Sequence, residues 1–93
     1  MTLREYEEFR EWADENLEGV FFFEGPNYAT AVLGYCSETG RIIYDGEACI
    51  DFLIDHHDMK TIEDASDFFS YNTLRALTYL DPAKRPIVVM KAK

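Results

Sequence analysis

The sequence predicts a single small α+β domain with the element order α-β-β-β-α-α-β, a mainly antiparallel sheet and helices packed on one face. The chain has 93 residues, enough for one domain with one modest core. Apolar residues make up 47% of it, which is ordinary for a globular protein. Segments with apolar residues at three- and four-residue steps flank short segments rich in aromatic and β-branched residues. Residues 1–93 are therefore expected to form one acidic α+β domain.

The first element is predicted to be an amphipathic helix. Thr2 and Glu5 have the capping-box spacing that starts a helix, and Gly19 is placed to end it. Apolar side chains recur between these points at helical steps and predict the buried face. They are Leu3, Tyr6, Phe9, Ala13 and Leu17.

A three-stranded meander is predicted next. Residues 19–24, "GVFFFE", are short and aromatic and predict the first strand. The second strand is predicted at 28–36 and the third at 41–45. Turn signals at 25–27, "GPN", and at 37–40, "SETG", separate the three strands.

Two helices and a last strand complete the prediction. Asp45 is placed to cap a second helix over 46–57. Thr61 repeats the capping spacing and starts a third helix, which should run to residue 80 and stop before Asp81 and Pro82. The segment "PIVVMK" then predicts the last short strand.

Polar residues interrupt the apolar face of the predicted third helix. The buried stripe comprises Ile62, Ala65, Phe69, Ala76 and Leu80. Asn72 and Thr73 fall inside this stripe, and a buried amide needs hydrogen-bond partners. Asn72 is therefore predicted to be buried, either tied to the backbone of a strand end or loop, or at the centre of a small pocket or partner contact.

The stretch Asp55-His56-His57-Asp58 raises the question of a metal site. Successive helix residues point about 100° apart, so three adjacent side chains cannot converge on one ion. We therefore predict no metal ligands, no catalytic residues and no cofactor, and we expect His57 to be a partly buried histidine with satisfied hydrogen bonds. A small metal-dependent enzyme using His56 or His57 remains an alternative. Cys36 and Cys49, which are 13 positions apart, are expected to be reduced apolar residues.

The net charge of −9 is unevenly distributed. Residues 1–18 contain seven acids and residues 45–67 contain eight, whereas the charged residues from position 68 onward are mostly basic. Direct binding to DNA, RNA or an anionic membrane needs a basic footprint and is not expected. A protein that carries such a footprint is the expected partner. No apolar run reaches membrane-span length and the N-terminus does not resemble a targeting peptide, so a cytoplasmic protein is expected.

A succession of short motifs runs through the second half of the chain. Its residues are Tyr44, Asp45, Cys49, Leu53, Met59, Thr61, Asp64, Ala65, Tyr71, Asn72, Ala76, Pro86 and Ile87. With these motifs, residues 28–89 resemble a group of short bacterial, phage and prophage proteins to which no activity is assigned. That group tends to read V-Y-D, then a helix with Cys and Leu, then G-M-T-x-E-E-A, an aromatic-Asn pair, then G-A, a short gap and T-P-I. The resemblance implies a phage or mobile-element context and no particular chemistry.

The function predicted first is an inhibitor or modulator of a nucleic-acid-handling protein. Carboxylates on the first helix recur about every 5–6 Å, similar to the phosphate spacing on one nucleic-acid strand. Such a face could occupy a basic groove as an anionic mimic, by analogy with anti-CRISPR proteins. The residues predicted to contact the partner here are Glu7, Glu11, Asp14, Glu15 and Glu18.

Two further surfaces are candidates for protein contacts. On the third helix, Tyr71 and Leu74 are predicted to be exposed among Asp64 and Asp67, where they could anchor an interface. The aromatic residues 21–23 should place rings on both faces of the predicted first strand, so the uncovered sheet face could form a homodimer. The alternative function is therefore a homodimeric structural or adaptor protein.

Overall fold

A computed structural model describes residues 2–23, 28–56 and 60–91. It confirms an α+β domain in which three α-helices and three strands occur in the order α-β-β-α-α-β within these residues. A 3₁₀ turn precedes the first strand, and the third helix continues as a π-helical turn and a 3₁₀ turn; we call these continuous residues, 62–79, the third helical segment. The elements are α1 (Leu3–Asn16), the 3₁₀ turn Ala29–Ala31, β1 (Val32–Tyr35), β2 (Ile42–Asp45), α2 (Gly46–His56), α3 (Ile62–Phe68), the π-turn Phe69–Leu74, the 3₁₀ turn Arg75–Tyr79 and β3 (Ile87–Val89).

The sheet is mixed and has the strand order β1-β2-β3. β1 and β2 are antiparallel, with Val32 opposite Tyr44 and an irregularity in the register between Val32 and Gly34. β2 and β3 are parallel, with Ile43 opposite Ile87. Parallel neighbours need a crossover connection, and the helical segments between β2 and β3 supply it. The sheet was predicted to be mainly antiparallel, and the structure shows one antiparallel and one parallel strand pair.

The three predicted helix starts are confirmed at atomic detail. The Thr2 hydroxyl accepts the Glu5 N–H at 3.1 Å, and the Glu5 carboxylate accepts the Thr2 N–H at 3.1 Å. A carboxylate oxygen of Asp45 accepts the N–H of Glu47 at 3.0 Å, at the start of α2. The Thr61 hydroxyl accepts the N–H of Asp64 at 3.1 Å. These bonds satisfy N–H groups that have no partner inside their own helix.

The predicted first strand is wrong for residues 20–23, which lie in no strand. The Phe21 N–H donates to the Lys84 carbonyl at 3.0 Å, and the Phe23 N–H donates to the Tyr44 hydroxyl at 3.0 Å. Individual partners therefore satisfy this backbone in place of a strand ladder. Of the apolar side chains in this segment, Phe22 is buried in the core and is 9% exposed. Residue 24 and the turn predicted at 25–27 lie outside the described residues.

The core lies between α1, α2, the sheet and the third helical segment. Its fully buried large side chains include Tyr28, Tyr44, Ile42, Leu53 and Phe69. Tyr28 packs edge-on against the Phe69 ring, with centroids 5.7 Å apart. Burial raises the pKa of both Tyr28 and Tyr44, so both phenols stay neutral and donate or accept hydrogen bonds within the core.

The third helical segment corrects the prediction of a buried Asn72. Asn72 is exposed, and its side-chain amide donates to the Phe68 carbonyl at 3.2 Å, whereas Thr73 is only 5% exposed. The predicted stripe assumed one continuous α-helix. Because the π-turn bonds each N–H one residue further back, successive side chains rotate less and the buried face changes register.

Two apolar members of that predicted stripe are also exposed. Ile62 is 68% exposed and Ala76 is exposed, whereas Ala65 and Phe69 are buried as predicted. Ile62 stands at the first position of α3, before the helix reaches the core. None of the helices among the described residues is long and apolar enough to cross a membrane.

Candidate partner-binding surface

The carboxylates of α1 face solvent because its apolar side chains fix the helix against the core. Tyr6 and Ala13 are buried, and Phe9 packs beside them. The carboxylates turn away from this side and fall within an arc of about 100°. Four of the five predicted residues form this arc over about 12 Å of helix rise, and all are exposed. We call Glu7, Glu11, Asp14 and Glu15 the acidic face.

Glu18 does not belong to the helical arc that the sequence predicted. α1 ends at Asn16, so Glu18 lies in the following turn, where its side chain is exposed. Its carbonyl oxygen accepts a hydrogen bond from the Lys84 ammonium at 2.6 Å. The C-terminal end of the acidic face therefore lies near a cation, which limits the anionic surface on that side.

The acidic face has no neutralising partner within the described residues. The ion pair found there joins Arg4 to Glu8 at 3.6 Å, at the N-terminal end of α1, and involves no member of the acidic face. Asp14 and Glu15 stand in the last turn, which contains no basic residue. A carboxylate near the negative end of the helix dipole costs roughly 0.3–1 kcal/mol. The sequence thus has two carboxylates at positions where they lower the stability of the helix.

An aromatic patch that the sequence analysis missed lies beside the acidic face. Trp12 is 39% exposed and Tyr35 is 42% exposed, and their ring centroids are 5.0 Å apart. Phe9 stacks on both rings, at 6.0 Å from Trp12 and 6.2 Å from Tyr35. Phe9 also meets the buried Phe22 edge-on at 6.0 Å, which ties the patch to the core. We call Trp12 and Tyr35 the aromatic pair.

One sequence signal could have indicated the aromatic pair. Trp12 lies one helical turn from both Glu8 and Glu15, off the apolar stripe of α1. A tryptophan among acids on an exposed helix face is a typical interface residue. Tyr35 could not be added from the sequence, since it comes from β1 and reaches Trp12 only through the packing of α1 on the sheet.

The second predicted contact surface is only partly exposed. Asp64, Asp67 and Tyr71 are exposed, and Tyr71 is 68% exposed. Leu74, predicted to be an exposed anchor, is instead half-buried and packs against the core. The π-turn accounts for this difference as well, because it turns Leu74 inward. The Arg75 guanidinium lies 5.9 Å from the centre of the Tyr71 ring and occupies part of its surface.

Asn72 lines a groove instead of lying in the core. The groove has a volume of about 430 Å³ and lies between the segment 20–23 and the third helical segment. Asp14 and Arg10 stand on its α1 side, and Leu77 and Leu80 are on the opposite side. Asn72 therefore borders this groove from the surface, whereas the sequence predicted a buried amide.

The histidine stretch shows no metal centre in its described part. His56 is exposed and stacks on Phe52 with ring centroids 4.6 Å apart. His57 and Asp58, including the prediction that His57 is partly buried, lie outside the described residues. Across 2–23, 28–56 and 60–91, no three His, Cys, Asp or Glu side chains are grouped as a metal ion would require.

The two cysteines are free thiols in different surroundings. Cys49 is fully buried, and burial raises its pKa to about 12. Cys36 is only partly buried. Hydrogen bonds from the side chain and backbone of Thr39 lower its pKa, with a further backbone bond from Glu38.

Comparison with known proteins yields no relative from which a function could be transferred. No family model, curated protein or solved structure matches this chain. Function must therefore be inferred from the sequence and the geometry of this chain.

Proposed function

We propose that this protein is a small acidic protein-binding module that inhibits or modulates a basic, nucleic-acid-handling protein. The acidic face of α1 carries the proposal, because its four exposed carboxylates have no cation within 4.0 Å among the described residues. A cytoplasmic location and a phage or mobile-element context belong to the same proposal, and the sequence resemblance supports the phage or mobile-element context.

The spacing of the acidic face supports competition with nucleic acid. Carboxylates one helical turn apart are about 5–6 Å from each other along the axis. A groove that binds phosphates could pair its lysines and arginines with these carboxylates and would then be closed to its substrate. Exposed charge pairs are screened by salt, so the encounter should weaken steeply as ionic strength rises.

The aromatic pair supplies the part of the contact that salt does not screen. Tryptophan and tyrosine dominate binding energy at many interfaces, because their rings bury a large area with few rotatable bonds. Trp12 and Tyr35 are held by Phe9, so little side-chain entropy remains to be lost on binding. A cationic side chain of the partner can lie on the Trp12 ring while Glu8 and Glu15 flank it.

The proposal is tested by capture from host lysate with the tagged protein, washed with increasing salt and analysed by mass spectrometry. The test variant is Glu7→Gln/Glu11→Gln/Glu15→Gln, which removes three charges from the acidic face. The matched control is Asp51→Asn/Asp55→Asn/Glu63→Gln, which removes three charges from exposed positions on α2 and α3.

We expect a nucleic-acid-binding protein to be captured by the wild type and by the control, and to be lost with the α1 variant. Purified partner should then lose its affinity for DNA or RNA when the wild-type protein is added. Equal loss from both variants would contradict the proposal, since net charge and not the acidic face would then carry the binding.

A homodimer or adaptor is the second candidate, and exposed apolar side chains at the sheet favour it. Leu33 on β1 is 60% exposed, Val89 on β3 is 40% exposed and Met90 is 58% exposed. The segment 21–23 no longer supports this function, because it belongs to no strand. Sedimentation velocity over a range of concentrations tests the candidate: a dimer lost in Leu33→Ser or Val89→Ser supports it, and a monomer throughout contradicts it.

A further inference from the structure

Two arginines lie side by side at the beginning of the parallel strand pair. Ile43 of β2 is opposite Ile87 of β3, and Arg41 and Arg85 each stand two residues before these partners, just ahead of their strands. Both residues are half-buried. They are in direct contact, because Arg41 Nε lies 2.8 Å from the Arg85 carbonyl oxygen.

Backbone carbonyls hold both guanidinium groups in place. Arg41 Nε donates to the Arg85 carbonyl oxygen at 2.8 Å. The Arg85 Nη1 donates to the Leu77 carbonyl oxygen at 3.4 Å. Each guanidinium has five N–H donors, so these bonds orient the groups and leave most of their donors available.

Neither guanidinium has a carboxylate partner. Among the described residues, no Asp or Glu oxygen lies within 4.0 Å of Arg41 or Arg85. This is unexpected in a chain with 18 acidic and nine basic residues, where carboxylates are abundant. Partial burial takes water away from both cations, and a bound anion would offset that desolvation cost.

The arginines line a groove that also offers apolar surface. Its volume is about 380 Å³, within the usual range for small-molecule sites. Leu74 and Leu77 contribute from the third helical segment, and Pro86 and Val88 from the sheet side. The groove therefore combines two oriented guanidinium groups with an apolar wall.

We propose that this groove binds a small organic carboxylate, with its carboxylate on Arg41 and Arg85 and its aliphatic or aromatic body against Leu74, Leu77 and Pro86. Guanidinium matches the planar carboxylate with parallel N–H donors, and a fixed pair of arginines presents these donors without further ordering. The site shares no residue with the acidic face, so a test of this site does not depend on whether the proposed function is correct.

The test is an NMR titration of the ¹⁵N-labelled full chain with sodium octanoate, compared with 1-octanol, which has the same body and no charge. Octanoate should shift the Nε–H signals of Arg41 and Arg85 saturably, together with the amide signals of Leu77 and Val88. Octanol should bind at least tenfold more weakly. Equal binding of octanol, or octanoate shifts that avoid both arginines, would overturn the proposal.

Variants assign the charge contribution to these two side chains. Arg41→Gln should lower octanoate affinity at least tenfold, whereas Arg75→Gln should not change it, since Arg75 is exposed and does not line the groove. Arg85→Lys keeps the charge and loses the forked donors, and it should bind octanoate more weakly than wild type with an unchanged fold. An equal loss in Arg75→Gln would show that only the total positive charge matters and would refute the site.

Discussion

The hydroxyl groups of Tyr28 and Thr73 lie 3.1 Å apart in the core and form a hydrogen bond between residues 45 positions apart in the chain. Thr73 is the buried polar residue of the described core. Because the π-turn directs Thr73 inward and Asn72 outward, this bond and the register of the third helical segment depend on each other. This hydrogen bond therefore connects the residue just before the 3₁₀ turn and β1 to the third helical segment, which lines both grooves.

Removing one partner of this bond should destabilise the fold by about 1–3 kcal/mol, because the other hydroxyl is left buried and unpaired. Thr73→Val leaves the Tyr28 hydroxyl without its partner, and Tyr28→Phe leaves Thr73. The double variant should lose less than the sum of the single losses, since no orphan group remains. Urea unfolding of the four proteins measures the coupling, and strictly additive losses would contradict it.

Asn72→Ala serves as the matched control for the buried pair. Asn72 is exposed, and its side-chain amide bonds to the Phe68 carbonyl within its own helical segment. The free energy of unfolding should therefore change by less than about 0.5 kcal/mol. If Asn72→Ala lowered the free energy of unfolding as much as Thr73→Val does, Asn72 would have to be buried, as the sequence predicted.

How far the sequence could predict this structure differs from element to element. The caps at Thr2, Asp45 and Thr61 were predictable because a side-chain oxygen and a nearby N–H form a local pattern. The π-turn was not, since its register is set by the distant Tyr28. The aromatic pair was not either, because Trp12 and Tyr35 meet only after α1 packs on the sheet.

The paired arginines show the same limit at the second site. Arg41 and Arg85 both stand just before apolar strand residues in the sequence. The sequence predicts β3 as a last strand but not its neighbour in the sheet, so the sequence alone does not bring the two residues together. Strand pairing 44 positions apart, parallel and through a helical crossover, is fixed by the tertiary packing.

Cys36 and Cys49 should differ sharply in their rates of alkylation. The thiolate is the reactive form, so the lowered pKa of Cys36 makes it reactive at a lower pH than an ordinary cysteine. Cys49 is buried with a pKa raised to about 12, and it should react only when the protein unfolds. Iodoacetamide labelling followed by peptide mass spectrometry across pH measures both sites.

Thr39→Val should shift the rate–pH profile of Cys36 to higher pH, because the side chain of Thr39 is the largest cause of the lowered pKa. The neighbouring Ser37→Ala is the control and should leave the profile unchanged. Labelling of Cys49 at the same rate as Cys36 in the native protein would contradict the buried position of Cys49.

Neutralising the acidic face should stabilise the protein slightly while it abolishes partner binding. Glu11 has Glu7 and Glu15 at four-residue spacing, and each such like-charge pair costs roughly 0.2–0.5 kcal/mol. Glu11→Gln should therefore raise the melting temperature at low salt, with a gain that shrinks as salt screens the charges. Calorimetry at two ionic strengths measures this. A melting temperature lowered by Glu11→Gln would show that Glu11 makes a stabilising contact instead.

The aromatic pair and the acidic face should contribute to partner binding in ways that salt separates. Trp12 is the single tryptophan of the chain, so its fluorescence reports directly on this surface. An arginine-rich peptide used as a basic probe should shift Trp12 emission saturably to shorter wavelength, because a guanidinium on the ring excludes water from it. Tyr35→Ala should weaken the binding that remains at high salt, and Tyr79→Ala is its control, since Tyr79 is 86% exposed and lies outside the pair. The α1 triple glutamine variant should instead lose mainly the binding seen at low salt. If the peptide binds to the acidic face while Trp12 emission stays constant, the carboxylates act alone and the aromatic pair only supports the packing of α1.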